Sequence, residues 1–269
     1  MLWIILSAPL VLALLLWLRK KWRKKQRQQI FDSPFPPQWL AYIQQNIHLY
    51  PRLPEDLQRQ LQGHVQVFLS EKRFYGFEGL QINDEVRVTV AAQACILQLN
   101  RPATYFPGFT SIYMYPASYR VPERHSNGEV SVGQESIRLG ESWTRGPIVL
   151  SWRDAKQGGV NDEDGQNVVI HEFAHKLDEE NGAVDGLPPL SESAQYKSWA
   201  KVLGREFHRL QRTGGRSVID RYGATNPQEF FAVITETFFE QPRQLQEKHT
   251  ELYGELKRFY QLDPASWGD

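Results

Sequence analysis

The segment VVIHEFAHKLDEENG, residues 168–182, holds two histidines four positions apart, with a glutamate directly after the first. On an α-helix, residues i and i+4 share a face, so His171 and His175 can aim ring nitrogens at one ion. Glu172 then projects to one side of the pair, where it can reach a water without taking a coordination position, as a general base must. The apolar VVI ahead of the motif, with Phe173 and Ala174 inside it, would seat such a helix in a core. The plainer alternative is a helix whose histidines only pack. Lys176 departs from the uncharged residue common after the second histidine, and it must point outward if the motif binds metal.

A catalytic zinc generally takes three protein ligands and keeps a fourth position for water, so a third ligand is needed. Asp178 lies three residues beyond His175 on the same helical face, and could instead hydrogen-bond a ligating histidine from behind. Glu229 opens a later helix, and Glu236 follows it by two turns. Glu229 also has a structural explanation. In NPQE, Asn226 fits an N-cap, Pro227 the first helical residue and Glu229 the capping-box glutamate. Spacing alone leaves its two roles open.

The elements that must position these residues read as helices, then a few strands, then helices, which favours an α+β fold. LPEDLQRQLQGHVQVFLSEKRF from Leu53 and INDEVRVTVAAQACILQLN from Ile82 carry helical periodicity and caps. Short β-type runs follow: TSIYMYP at 110–116, EVSVGQ and ESIRLG within 129–140, and GPIVLSW at 146–152. KQGGVNDEDGQN, 156–167, reads as a loop, as does ENGAVDGLPPLSES after the motif. Three further helices are expected from AQYKSWAKVLGREFHRLQR, from the run opening at NPQE, and from RQLQEKHTELYGELKRFYQL.

Composition narrows the function classes. The 269 residues are 41% hydrophobic and 23% charged, ordinary for a folded domain. Thirty-one basic residues balance thirty-one acidic ones, leaving no net field to hold nucleic acid directly. Cys95 is the only cysteine, which excludes an intramolecular disulfide and a zinc-thiolate cluster; on an apolar helix it reads as a small buried hydrophobe. His48, His64, His125, His208 and His249 have no motif companion and read as surface or packed residues.

Charge is asymmetric at the N-terminus. LWIILSAPLVLALLLWL, Leu2 to Leu18, is followed at once by RKKWRKKQR. As a helix this run reaches about 25 Å, the lower limit for a bilayer core. Basic residues on its C-terminal side place the rest of the chain in the cytoplasm and suit anionic lipid headgroups. The expectation is a single-pass transmembrane anchor over 1–18, a basic juxtamembrane linker over 19–32 and one domain over 33–269.

Taken together, GESWTRGPIVLSW, NVVIHEFAHKLDEENG and RYGATNPQEFFAVITETFF resemble the Mlc titration factor A family of zinc-dependent peptidases, over nearly all the chain past the anchor. The half holding the metal motif is also similar to the catalytic domain of anthrax lethal factor, a more distant zincin. The resemblance implies a mostly helical zincin-like domain with a small sheet, and Zn2+ held by His171, His175 and Glu229. It implies Glu172 as catalytic acid/base and Tyr222 as stabiliser of the transition state, and it accommodates Lys176. Peptide or protein substrates, possible aminopeptidase action and capture of a regulatory partner such as a transcriptional repressor are implied in the same way. GPIVLSW is then the strand expected to receive an extended peptide.

Overall fold

The computed structural model describes residues 2–117, 123–124, 130–131, 146–190, 192–212 and 217–268. In chain order the elements are α1 (Leu2–Phe31), α2 (Pro37–Asn46), α3 (Glu55–Glu71), β1 (Arg73–Gly76), α4 (Asp84–Ile96), β2 (Ser111–Tyr115), β3 (Glu123–Arg124), β4 (Val130–Ser131), β5 (Ile148–Ser151), α5 (Trp152–Val160), α6 (Val168–Asp178), α7 (Ser193–Arg212), α8 (Pro227–Glu240), α9 (Pro242–Lys248) and α10 (Thr250–Tyr260). The fold is mostly helical α+β, as the order of sequence patterns implies. EVSVGQ and ESIRLG lie outside the described residues, except Val130 and Ser131 in β4.

Strands β1, β2 and β5 form a parallel sheet in that order. Ile112, Met114, Ile148 and Leu150 face the core on it, while Tyr75, Tyr113 and Val149 lie on the opposite face, as the period of two requires. Among the described strands β5 is an edge, and its far end turns directly into α5 through an N-cap in which Ser151 accepts from the Asp154 N–H. Helix α8 is the central element, buried from Phe230 to Glu240. Such a helix must satisfy its polar side chains internally. Thr235 and Thr237 do so by donating to the carbonyls of Phe231 and Val233, at 2.9 Å each.

Three local readings are corrected. Part of KQGGVNDEDGQN is helix, because the glycines of α5 permit close packing: a Cβ on Gly159 would run into the Asn46 carbonyl of α2. The end of the helix expected from Leu53, RF, leaves α3 and begins β1, where Arg73 N–H donates to the Thr110 carbonyl. RQLQEKHTELYGELKRFYQL is two helices, α9 and α10, meeting at His249.

The N-terminal segment also differs from expectation. Apolar and basic stretches form one continuous 30-residue helix. Among the described residues, no helix is long and apolar enough to cross a membrane, so the expected transmembrane anchor is not supported by the structure. Residues 19–31 are not an irregular linker. Arg27 grips Glu71 with two hydrogen bonds of 2.7 and 2.8 Å, and its guanidinium lies 4.6 Å from the Tyr105 ring centre. Phe31 packs its ring edge-on to His64 at 5.1 Å, over Gly63. The last turns of α1 therefore belong to the domain.

His64 is buried and its Nδ1 lies 2.8 Å from the Tyr105 hydroxyl, and burial lowers its pKa to about 4. A histidine with a depressed folded-state pKa binds fewer protons folded than unfolded, so its stabilising contribution is complete above its ordinary 6.5 and is lost as pH falls toward 4. Melting temperature measured between pH 7 and pH 4 should fall for the native chain. His64→Gln should flatten that part of the slope; an unchanged slope would remove His64 as its source.

Candidate metal centre

Helix α6 begins where Asn167, in extended conformation, turns its side-chain oxygen to the Ile170 N–H at 3.0 Å. That cap sets the start, and Val169, Ile170, Phe173, Ala174 and Leu177 form its buried face. His171, Glu172 and His175 are only half-buried, on the side that remains accessible. The two imidazoles lie 4.8 Å apart between ring centres and nearly perpendicular.

Opposite them α8 starts with its own cap, the Asn226 side chain accepting the Glu229 N–H at 2.9 Å. The two sequence readings of Glu229 therefore coexist. Its backbone belongs to the cap, whereas its carboxylate reaches the histidines. Glu229 Oε2 stands 3.0 Å from His171 Nε2 and 3.4 Å from His175 Nε2, and the two Nε2 atoms are 3.2 Å apart. Four-coordinate zinc with bonds of about 2.0–2.1 Å separates its ligand atoms by roughly 3.3 Å. The triangle of two nitrogens and one oxygen fits that spacing and that donor chemistry. Among the described residues, these three side chains are the group able to hold one metal ion.

Glu236 and Asp178 stand outside this group. Glu236 is buried and accepts from His171 Nδ1 at 2.7 Å and from the Asn167 N–H at 2.5 Å. It fixes the ring so that Nε2 faces Glu229, the arrangement by which a carboxylate behind a histidine orients it toward a metal. Asp178, fully buried, accepts the Gly186 N–H at 2.8 Å, and burial raises its pKa to about 6. Gly186 has φ of +77°, and a Cβ there would strike the Pro227 carbonyl; Asp178 thus pins the following loop beneath the start of α8.

Burial opposes ionisation of Glu229, but hydrogen bonds with His171 and His175 outweigh it and hold its carboxyl well below the usual range. Burial likewise opposes charge on His171, and Glu229 and Glu236 overcome it, raising the imidazole well above its ordinary value. The pocket thus concentrates negative charge around the two rings.

Tyr222 lies in the short 3-10 turn Arg221–Ala224, whose cap is Asp220 accepting the Tyr222 N–H at 2.7 Å. Its ring centre is 5.9 Å from that of His171, and the side chain is exposed. Lys176 pairs with Glu179 at 2.9 Å and takes no part in the triangle. Asn167 is the site-forming residue that sequence reasoning missed; its signal was an Asn directly before an apolar helical run.

A family model described as glucose-regulated metallo-peptidase M90 matches residues 19–261. The uncharacterized protein slr2042 of Synechocystis is 37% identical over 266 residues, covering 97% of each chain. Mlc titration factor A of Yersinia pestis and that of Yersinia pseudotuberculosis are each 34% identical over 230 residues, 82% of this chain and 83% of theirs. The slr2042 match leaves too little uncovered to omit all of residues 1–18.

Asn167 caps α6 and also donates from its side chain to the Gly158 carbonyl at 3.0 Å. Asn167→Ala should cost about 1–2 kcal/mol and lower the melting temperature by roughly 2–8 °C, read by calorimetry of the metal-free chain. An unchanged melting temperature would show that the cap does not hold the helix start.

Proposed function

The chain belongs to the glucose-regulated metallo-peptidase M90 family, and on that footing we propose that it is a zinc-dependent peptidase centred on His171, His175 and Glu229. The observation that carries this reading is the donor triangle, with three separations close to those around one tetrahedral ion. Zinc bound there supplies Lewis acidity and makes a water nucleophilic near neutral pH.

The protein's own groups do the rest. Glu172, one residue from the first ligand and on the accessible side of α6, takes the proton of the attacking water and passes it to the leaving amine. Tyr222, at the rim, donates its hydroxyl to the oxyanion that forms on the scissile carbonyl. Glu236 keeps His171 in the tautomer with its proton on Nδ1, so that Nε2 offers a lone pair. The edge that β5 forms among the described strands, beside α6, receives an extended peptide by main-chain hydrogen bonds, and Pro147 just before it needs no partner for an N–H. Cleavage at a free N-terminus is the finer reading, and it rests on the family resemblance.

A second reading comes from the names of the Yersinia relatives, which describe titration of Mlc. In that reading the chain captures a regulatory protein, and hydrolysis is a separate act of the same domain. Residues 2–18 and the basic run after them complete the proposal. They hold the chain at a membrane with the domain on the cytoplasmic side, on the strength of the apolar run and its flanking charge.

Zinc content and peptide hydrolysis test the centre. Glu229→Ala should lose zinc, Asp178→Ala should keep it, and Glu236→Ala should weaken its binding about 10–100-fold. Glu172→Gln should retain zinc and any partner capture while hydrolysis falls about 10²–10⁴-fold. Wild-type hydrolysis by that variant would end the catalytic assignment. Removal of residues 1–18, a cut that spares the Arg27–Glu71 contact, should move the chain from the membrane to the soluble fraction with hydrolysis intact. Retention in the membrane fraction would refute the anchor.

A further inference from the structure

Tyr222 is exposed at the rim of the donor triangle, yet the backbone that carries it is held at both its polar groups. Its N–H donates to Asp220 Oδ1 at 2.7 Å, and its carbonyl accepts the Thr225 N–H at 3.1 Å and the Thr225 hydroxyl at 2.7 Å. The Gly223 N–H closes the turn on the Asp220 carbonyl at 3.2 Å, and the Gln211 side chain of α7 donates to the Ala224 carbonyl at 3.3 Å. Gly223 itself is buried against α8 and α7. A Cβ there would stand 3.3 Å from Val233 Cβ and 3.5 Å from both Phe230 Cα and Leu210 Cδ2.

Backbone groups of a surface turn can bond to water at little cost, so side-chain partners are not needed merely to satisfy Tyr222. What the partners supply is order. With the backbone fixed, only two side-chain torsions remain between the turn and the phenol. A group that donates to a developing oxyanion must already be in place, and a displacement of about 1 Å costs roughly 10²-fold in rate. Thr225 directly precedes the Asn226 cap that holds Glu229, so one continuous stretch sets both the tyrosine and the carboxylate of the triangle on the start of α8.

We propose that Asp220 and Thr225 are positioning residues for Tyr222, pinning its N–H and its carbonyl so that the phenol is held beside His171. The consequence for hydrolysis rests on the peptidase reading; the placement itself does not. Asp220 serves as an acceptor and not as a charge, because its partner is a neutral N–H and asparagine caps a turn of this kind equally well.

Placement is read by NMR of the full-length chain, carbon-labelled in its tyrosine rings, with Tyr222→Phe identifying the Tyr222 resonance. Asp220→Ala should move that resonance toward the position of an unstructured tyrosine, and Asp220→Asn should leave it in place. Thr225→Val should move it less, because the Thr225 N–H keeps one bond to the carbonyl. In hydrolysis, Asp220→Ala should lower kcat about 10–100-fold with KM within about twofold and zinc content native, and Asp220→Asn should restore kcat. In a Tyr222→Phe background, Asp220→Ala should cost nothing further. A native resonance in Asp220→Ala, equal losses in Asp220→Asn and Asp220→Ala, or multiplying losses in the double variant would overturn the proposal. Native hydrolysis by Tyr222→Phe would instead remove Tyr222 from the peptidase reading, with the resonance still deciding the placement.

Discussion

One buried carboxylate fixes the relation between the two helices that make the site. Glu236 lies in the interface of α6 and α8, and its two oxygens take the Asn167 N–H and His171 Nδ1. Burying such a group without partners is costly, so each of its bonds constrains α6 strongly. One sets where the helix begins, and the other sets which way its first histidine faces. Shifting α6 by a single residue along its axis would lose both.

The rest of the centre follows from that registration. With His171 Nε2 turned to Glu229, His175 one turn later meets the Glu229 carboxylate as well, and the Asn226 cap holds Glu229 at the start of α8. A carboxylate in the first turn of a helix is favoured by the unpaired N–H groups there, which reinforces the negative character of the pocket. Asp178 extends the same logic to the loop beyond α6. It holds Gly186 under Pro227, and the Gly186 carbonyl accepts the Trp199 indole N–H at 3.3 Å, so α6, α7 and α8 are tied at one corner. Polar groups that resemble ligands in the sequence thus serve as the fastenings that hold the three side chains of the triangle still.

Helix α1 is fastened by the same means at a different corner. The Arg27 fork on Glu71 and the Phe31 ring on His64 place its last turns on α3, whereas Val11 to Leu18 project with side chains about half exposed or more. The helix runs without a break from that apolar end to the docked turns. The residues that read as a linker are charged and glutamine-rich, but charge alone does not prevent a helix when its next turn has a docking face.

Much of the site was legible in the chain. The i, i+4 histidines, the neighbouring glutamate and the Asn-Pro start of α8 are local patterns whose geometry follows from helical period and capping. The same reasoning placed α3, α4, α7 and α8 to within a few residues. It failed at Gly158 and Gly159, where glycine marks a loop by propensity but serves here for close approach of α5 to α2. It also could not choose among Asp178, Glu229 and Glu236, because three acidic residues at helical spacing have identical local chemistry. Sequence by itself determined that two histidines share one helix face, with a glutamate to one side of them. Which carboxylate completes the triangle, which backs a histidine and which pins a loop was decided only by packing α6 against α8, since long-range contacts, not helical period, select the partners of buried charge.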